Sequence, residues 1–500
     1  MNENTEYLFS KLKEYLRDVE VLNQIEGILE WDLKTYMPPL GISNRMNQIS
    51  LLSRLSHELF TSEKIGELLK KLSSAEDLTD IQKRNVYLWN KYYNQEINVP
   101  KELVEKLSKQ QSKTEDLWKT AKKKSDFKLI QNDLELLIEL VKQKSEKMNP
   151  DIHPYNVLLD IYEPNMTYQQ IDKFFSQLKP NLSKILNKII NSQSKRPFSD
   201  SVIKFYLPIS EQEKISNFLM EFLRLDNNRT RIDKTEHPFS TGHIYDVRIT
   251  TKYDENEPFN NFYSILHEGG HAIYDLNLPK DWEYLAIGHA CGLGVHESQS
   301  RFFENVIGRS KEFLYYSLGE LKKIIPKFDA ISLEQLYQAV NYVQPSKIRI
   351  HADELTYNFH IILRYEIEKE IFDEKVSINE LPQLWNEKMQ EYLYQKIEND
   401  REGILQDIHW YEGAFGYFPD YILGNIYDGQ ILAAINKLIQ NWKEELKQGN
   451  IDKILEWLKI NIHSKGKYYD PIELIEKSVN SKIDIGFFIK YLEDKYNEIY

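Results

Sequence analysis

Cysteine is almost absent: Cys291 stands alone among 500 residues. A lone thiol has no partner for an internal disulfide, which fits a reducing compartment such as the cytoplasm, and a small buried side chain is its expected state. No run of about eighteen apolar residues occurs, so no membrane-spanning helix is expected. The polar, acidic start Met1-Asn2-Glu3-Asn4-Thr5-Glu6 lacks the basic and apolar zones of a secretory signal. Basic clusters are missing too. Lys and Arg total 64 against 77 Asp and Glu, a net charge of −13 with a pI near 5.6. Such a surface repels a phosphate backbone, so no nucleic-acid partner is expected. Gly/Ser tracts, proline-rich spacers, low-complexity runs and internal repeats are all lacking, which favours one large domain over residues 1–500, with helical lobes and no clear linker.

What is present is mostly helical periodicity. Over residues 6–147 apolar side chains recur at helical spacing, as at Leu51, Leu52, Leu55, Leu59 and Phe60, with breaks at Pro38-Pro39, near Thr79-Asp80 and at Pro100. The stretch 31–39, opening on Trp31-Asp32, reads as a helix end with an aromatic plug. A helix ends at Glu163-Pro164, a long one follows over 169–190, and others are expected at 333–343 and, amphipathic, at about 346–370. Residues 403–424 are rich in Gly, Tyr, Phe and His and lack a period. The one convincing strand signal is 247–253, where apolar or β-branched residues alternate with polar ones.

Just after that strand comes Ser264-Ile265-Leu266-His267-Glu268-Gly269-Gly270-His271-Ala272-Ile273. Residues four apart share one helix face, so His267 and His271 can aim ring nitrogens at one divalent ion. Glu268, about 100° round the axis from His267, is placed for a water beside that ion rather than for ligation. Phe259, Phe262, Leu266, Ile273 and Leu276 form the buried stripe, and Pro258 marks the start. Each of Gly269 and Gly270 costs about 1 kcal/mol against alanine in a helix interior, so the pair points to another backbone or a substrate passing close by.

An open catalytic zinc site needs a third protein ligand. The next dense cluster is Gly294-Val295-His296-Glu297-Ser298-Gln299-Ser300-Arg301, far enough on for the first helix to end near 277–279 and a second to return. Spacing leaves Glu297 equally readable as a ligand or as a solvated helix-face carboxylate, with His296 as a rival. The preceding strand has two readings as well: an edge that pairs with an extended peptide by backbone hydrogen bonds, or a structural hairpin.

Several motifs in order make the chain resemble the carboxypeptidase Taq family of zinc-dependent metallocarboxypeptidases. They are His237-Pro238-Phe239, Asp246-Val247-Arg248-Ile249-Thr250, the 267–271 motif, His296-Glu297-Ser298-Gln299, Ile348-Arg349-Ile350-His351-Ala352-Asp353, and the run from Gly403-Ile404-Leu405-Gln406 to Asp407-Ile408-His409-Trp410. Phe303, in place of a tryptophan, and Asn165, in place of a glycine, depart from the pattern away from the chemistry. The resemblance implies a mostly α, two-lobed helical body with a deep groove and a small β-hairpin or short sheet beside the metal helix, akin to neurolysin and angiotensin-converting enzyme. It implies removal of single C-terminal residues from peptides with broad side-chain tolerance and poor release of proline, and commonly a homodimer. By the same match His267, His271 and Glu297 become ligands to one divalent ion, zinc by expectation, with cobalt or manganese also accommodated by such donors.

On that footing Glu268 takes a proton from the attacking water and passes it to the leaving amine. The aromatic segment 403–424 offers oxyanion donors: His409 first, then Tyr417 or Tyr421, with Tyr411 nearby, although core packing explains any one of these tyrosines equally well. A free substrate carboxylate calls for a guanidinium, and Arg349 and Arg248 are the candidates, each with a buried ion pair, to Asp353 or Asp246, as its other reading. An endopeptidase or a dipeptide-releasing enzyme would share this metal site. A catalytically silent peptide-binding protein would have no need of Glu268.

Overall fold

Prolines and capping side chains decide where the helices begin. Pro38 and Pro39 separate the helix Glu3–Thr35 from Ile42–Phe60, and Pro100 separates Asp80–Ile97 from Lys101–Lys124. Thr167 and Gln170 form a reciprocal capping box at the start of Tyr168–Gln193. The computed structural model describes residues 3–194 and 199–500, and these are mostly helical with one three-stranded sheet. Among the described residues no helix is long and apolar enough to cross a membrane. The chain divides into two units, each assembled from three separated sections: Met1–Glu96, Asp200–Val340 and Ile431–Lys482 in the first, and Ile97–Ser199, Asn341–Gln430 and Ile483–Tyr500 in the second.

In the first unit, Phe9, Leu12, Leu16 and Val19 interlock with Ile65, Leu69 and Leu72 and with Trp89, all buried. Their spacing is that of single helical faces. The sheet contains β1 (Thr230–Lys234), β2 (Ser240–His243) and β3 (Asp246–Thr251) in the order β1-β3-β2. β1 runs parallel to β3 with Ile232 opposite Ile249, and β2 runs antiparallel to it with Gly242 opposite Val247. The strand legible in the sequence is therefore the central one. Both of its edges are taken by the chain, which removes the expectation that it pairs with a peptide. Trp31 is buried under the guanidinium groups of Arg248 and Arg231, 4.3 and 4.9 Å from its ring, consistent with the aromatic plug. Cys291 is buried, its thiol on the Tyr469 carbonyl.

In the second unit the helix Glu354–Phe372 is buried on nearly every side. The amphipathic helix expected from about 346 starts only at 354, because the Asp353 carboxylate accepts hydrogen bonds from the Leu355 and Thr356 N–H groups and caps it there. Upstream, Pro345 and a short 3-10 turn, Arg349–His351, occupy the span. Lys495, from the helix Gly486–Ile499, meets Glu354 at 2.6 Å in a buried ion pair. Of the aperiodic residues 403–424, a 3-10 turn forms at His409–Glu412 and a helix begins at Pro419. Between them Gly413 and Gly416 adopt φ of 78° and 85°, a region that favours glycine.

Candidate metal centre

The helix Pro258–Leu276 lies against β3, the helix Ile209–Phe222 and the helix Leu293–Arg301, all within the first unit. Its two glycines are explained by those neighbours. A methyl group on Gly270 would strike the Gln299 carbonyl and sit 2.7 Å from the Ser300 Cα, and one on Gly269 would strike the Leu223 side chain. The close passage of the 293–301 backbone brings Glu297 to the two histidines.

Nε2 of His267 and Nε2 of His271 face the same oxygen, Glu297 Oε2, at 3.7 and 3.5 Å. These separations are too long for hydrogen bonds. They match ligands around a common ion, since donors each about 2.0–2.2 Å from a tetrahedral zinc stand roughly 3.3–3.5 Å apart. Among the described residues this trio is the group of His, Cys, Asp and Glu able to hold a metal. The other polar atom of each of the three side chains is held by a neighbour, and one neighbour reaches the shared oxygen itself. His267 Nδ1 meets Glu304 Oε2 at 2.9 Å, and His271 Nδ1 meets His296 Nδ1 at 2.6 Å, with His296 Nε2 reaching Asp275 at 3.2 Å. Arg301 Nε donates to Glu297 Oε1 at 2.7 Å, and the Ser300 hydroxyl donates to Oε2 at 3.0 Å. His296, the rival ligand, thus sits behind His271 and orients it, as an outer partner of a metal-binding histidine does.

Glu304 and Arg301 went unnoticed in the sequence. Their signal was there: Glu297, Arg301 and Glu304 follow the spacing of one helix face. The helix then widens into a π turn over Phe302–Ile307, with Gly308 N bonded to the Phe303 carbonyl five residues back.

The local field is strongly negative. Burial opposes a charge on His267, but the charge of Glu297 and the hydrogen bond to Glu304 outweigh it and push His267 up to about 9. Burial pushes Glu268 up to about 7, with His267 opposing and Glu297 and Glu304 adding to the rise. Burial, then the neighbouring His296 and His267, hold His271 well below its ordinary value, so it is a neutral ligand. A site that gathers carboxylates until one imidazole, His267, retains a proton is a site for positive charge, which a divalent cation would supply in that proton's place.

The other residues singled out from the sequence gather in the second unit, apart from Arg248. The His409 ring lies 5.4 Å from Tyr417 and 4.6 Å from Phe418, and Tyr417 lies 5.6 Å from Tyr421. The Arg349 guanidinium is 5.4 Å from the Tyr421 ring. Burial, reinforced by the charges of Arg349 and Arg364, lowers His409 to about 4, and its buried Nδ1 has no hydrogen-bond partner. At neutral pH it is an uncharged N–H donor. Tyr411 is fully buried with its hydroxyl on the Ile404 carbonyl, a packing role.

Arg349 is bonded not to Asp353 but to Asp407, through Nε at 3.0 Å and Nη2 at 2.8 Å, and to the Tyr357 hydroxyl at 2.8 Å. That leaves two of a guanidinium's five N–H groups uncommitted. Arg364 holds the other oxygen of Asp407, completing a buried arginine-aspartate-arginine triad that the sequence did not reveal. Arg248 sits in the first unit, where Asp246 takes its Nε and Nη2 at 2.9 and 2.7 Å.

Comparison with known proteins agrees with this geometry. The family model described as "Carboxypeptidase Taq (M32) metallopeptidase" matches residues 11–496. Carboxypeptidase 1 of Bacillus subtilis is 36% identical over 488 residues, 97% of each chain. The crystal structure of the M32 carboxypeptidase from Deinococcus radiodurans superposes with a TM-score of 0.95 at 31% identity over 99% of both chains. The solved structure of Trypanosoma cruzi metallocarboxypeptidase 1 gives 0.94 at 32% identity, covering 98% of this chain and 99% of the other.

Proposed function

The chain belongs to the carboxypeptidase Taq family of metallopeptidases and is a metal-dependent carboxypeptidase, and from that premise we propose that it releases single amino acids, with broad tolerance, from the free C-terminus of peptides. The observation that carries the reading is the convergence of His267 Nε2, His271 Nε2 and Glu297 Oε2, with Glu268 buried on the same helix. An ion bound to that trio supplies Lewis acidity, lowering the pKa of a water and polarising a carbonyl oxygen. Zinc is the proposed ion, because two imidazoles and a carboxylate suit its preferences.

Glu268 accepts a proton from the water as its oxygen attacks the scissile carbonyl carbon, and returns that proton to the nitrogen as the C–N bond breaks. The burial that raises its pKa supports this role, because a base poised near neutrality can also give the proton back. His409, held neutral, donates to the developing oxyanion, with Tyr417 or Tyr421 beside it. Arg349 retains two N–H groups for the substrate carboxylate. Arg248, engaged by Asp246, is the weaker clamp. The single buried cysteine supports a cytoplasmic location, and the family resemblance supports a homodimer.

The test digests one unblocked peptide and its C-terminally amidated form with native, chelator-treated and zinc-restored protein, alongside metal analysis. Stepwise loss of one residue from the free acid, abolished by the chelator and restored by zinc, is expected by mass spectrometry. Internal cuts, or release of residue pairs, would overturn the assignment.

A further inference from the structure

Glu368 lies in the helix Glu354–Phe372 and its side chain is completely buried. Three donors converge on it. The Trp410 indole N–H donates to Oε1 at 2.7 Å, while the Gly416 backbone N–H and the Tyr155 hydroxyl each donate to Oε2 at 2.8 Å. Among the described residues no lysine or arginine is bonded to this carboxylate. Burial pushes its pKa up to about 7 in spite of the three donors, so an ionisable group sits where retaining charge is costly.

Two of those donors belong to one short stretch, the 3-10 turn His409–Glu412 and the irregular backbone that follows it. Trp410 directly follows His409, and Gly416 directly precedes Tyr417. The two oxygens of one side chain therefore tie both ends of residues 409–417 to a single rigid helix. Opposite Glu368, the loop end is confined as well: Gly416 has φ of 85°, and a Cβ there would lie 2.9 Å from the Leu158 carbonyl carbon. A glutamine could not serve in place of Glu368. Its amide nitrogen would point at the N–H of either Trp410 or Gly416, setting donor against donor in a buried site.

We infer that Glu368 is a positioning residue for peptide hydrolysis: its carboxylate holds residues 409–417 so that His409 and Tyr417 keep a fixed spacing. This rests on the oxyanion role proposed above for those two side chains.

The experiment uses the full-length, metal-loaded enzyme and reads hydrogen exchange by peptide, kcat, KM and bound metal. Glu368→Gln is expected to speed exchange within 409–417 and lower kcat on the order of 10²-fold, the cost of misplacing reacting groups by about an ångström. KM and metal content stay at wild-type values. Trp410→Phe, which removes one donor and keeps an aromatic ring, shows the same pattern more weakly and serves if the first variant does not fold. Tyr155→Phe removes an equally short hydrogen bond from outside the segment and leaves both its exchange and kcat near wild type. Unchanged exchange in Glu368→Gln, or a loss of kcat in Tyr155→Phe as large as in Glu368→Gln, overturns the inference. Faster exchange at full kcat overturns it too, and His409→Gln then locates the fault. Reduced kcat in that variant keeps the oxyanion role and rejects only Glu368, whereas full kcat rejects the oxyanion role itself.

Discussion

Two regions carry the candidate chemistry, and they are built in opposite ways. Around His267 and His271 the three ligands come from two regular helices, and the carboxylates Asp275, Glu268, Glu297 and Glu304 outnumber the arginines Arg301 and Arg309. Around His409 the backbone is irregular, and Arg349 and Arg364 share the single Asp407. The same residue type responds in opposite directions: His267 is pushed up to about 9 and His409 down to about 4. The first field attracts a cation. The second keeps an imidazole neutral and leaves guanidinium N–H groups for an anion. Under the roles proposed above, the regular, acidic region would hold the Lewis acid and the irregular, basic one would meet negative charge.

The largest effect should come from removing the proposed general base of the negative region. Glu268→Gln is expected to retain the metal and lose about 10²- to 10⁴-fold in kcat, the usual worth of general acid-base catalysis; near-normal turnover would refute the role. One step outward, Glu304→Gln should weaken metal affinity about 10- to 100-fold by releasing His267 Nδ1, measured by competition with a chromogenic chelator. Equal affinity in variant and wild type would mean that the Nδ1 contact does not matter.

The two glycine environments make a third contrast. Gly270→Ala should destabilise the protein by about 1–3 kcal/mol and weaken metal binding through overpacking against the 299–300 backbone. Gly319→Ala, with open space around it inside the helix Lys311–Ile324, should raise stability by about 1 kcal/mol. Similar melting temperatures for both would break the packing argument.

The smallest effect is a pH slope in the positive region. Burial favours the neutral form of Asp407, but the charges of Arg349 and Arg364 overcome it and hold its folded pKa well below the unfolded value of about 3.9. Its contribution to stability is therefore full above about pH 4 and declines as pH falls below that. Denaturant titrations of wild type and Asp407→Asn should show a shallower acid slope in the variant, and identical slopes would discount the triad.

Legibility followed the same division. The 3.6-residue period, the proline breaks and the His-Glu-x-x-His spacing were all readable, because regular helix turns sequence distance into geometry. Glu297 was ambiguous by spacing, since its place depends on how closely Gly270 lets a second helix approach. β1 and β2 were missed because five and four residues with partly exposed side chains give too little alternation, and without them β3 looked like an edge. Asp407 was not foreseen as the partner of Arg349, because 58 positions separate the two and no period links them.

The wide turn at Phe302–Ile307 has a further consequence. A π turn holds an extra residue relative to α-helical winding, and each residue of helix advances the azimuth by about 100°. Excising Phe302 or Phe303 would leave Glu297 in place while swinging the Glu304 carboxylate away from His267. That bulge acts as a shim, setting the aim of the outer carboxylate separately from the inner one, so evolution or design can retune the grip on the first imidazole without disturbing the third ligand.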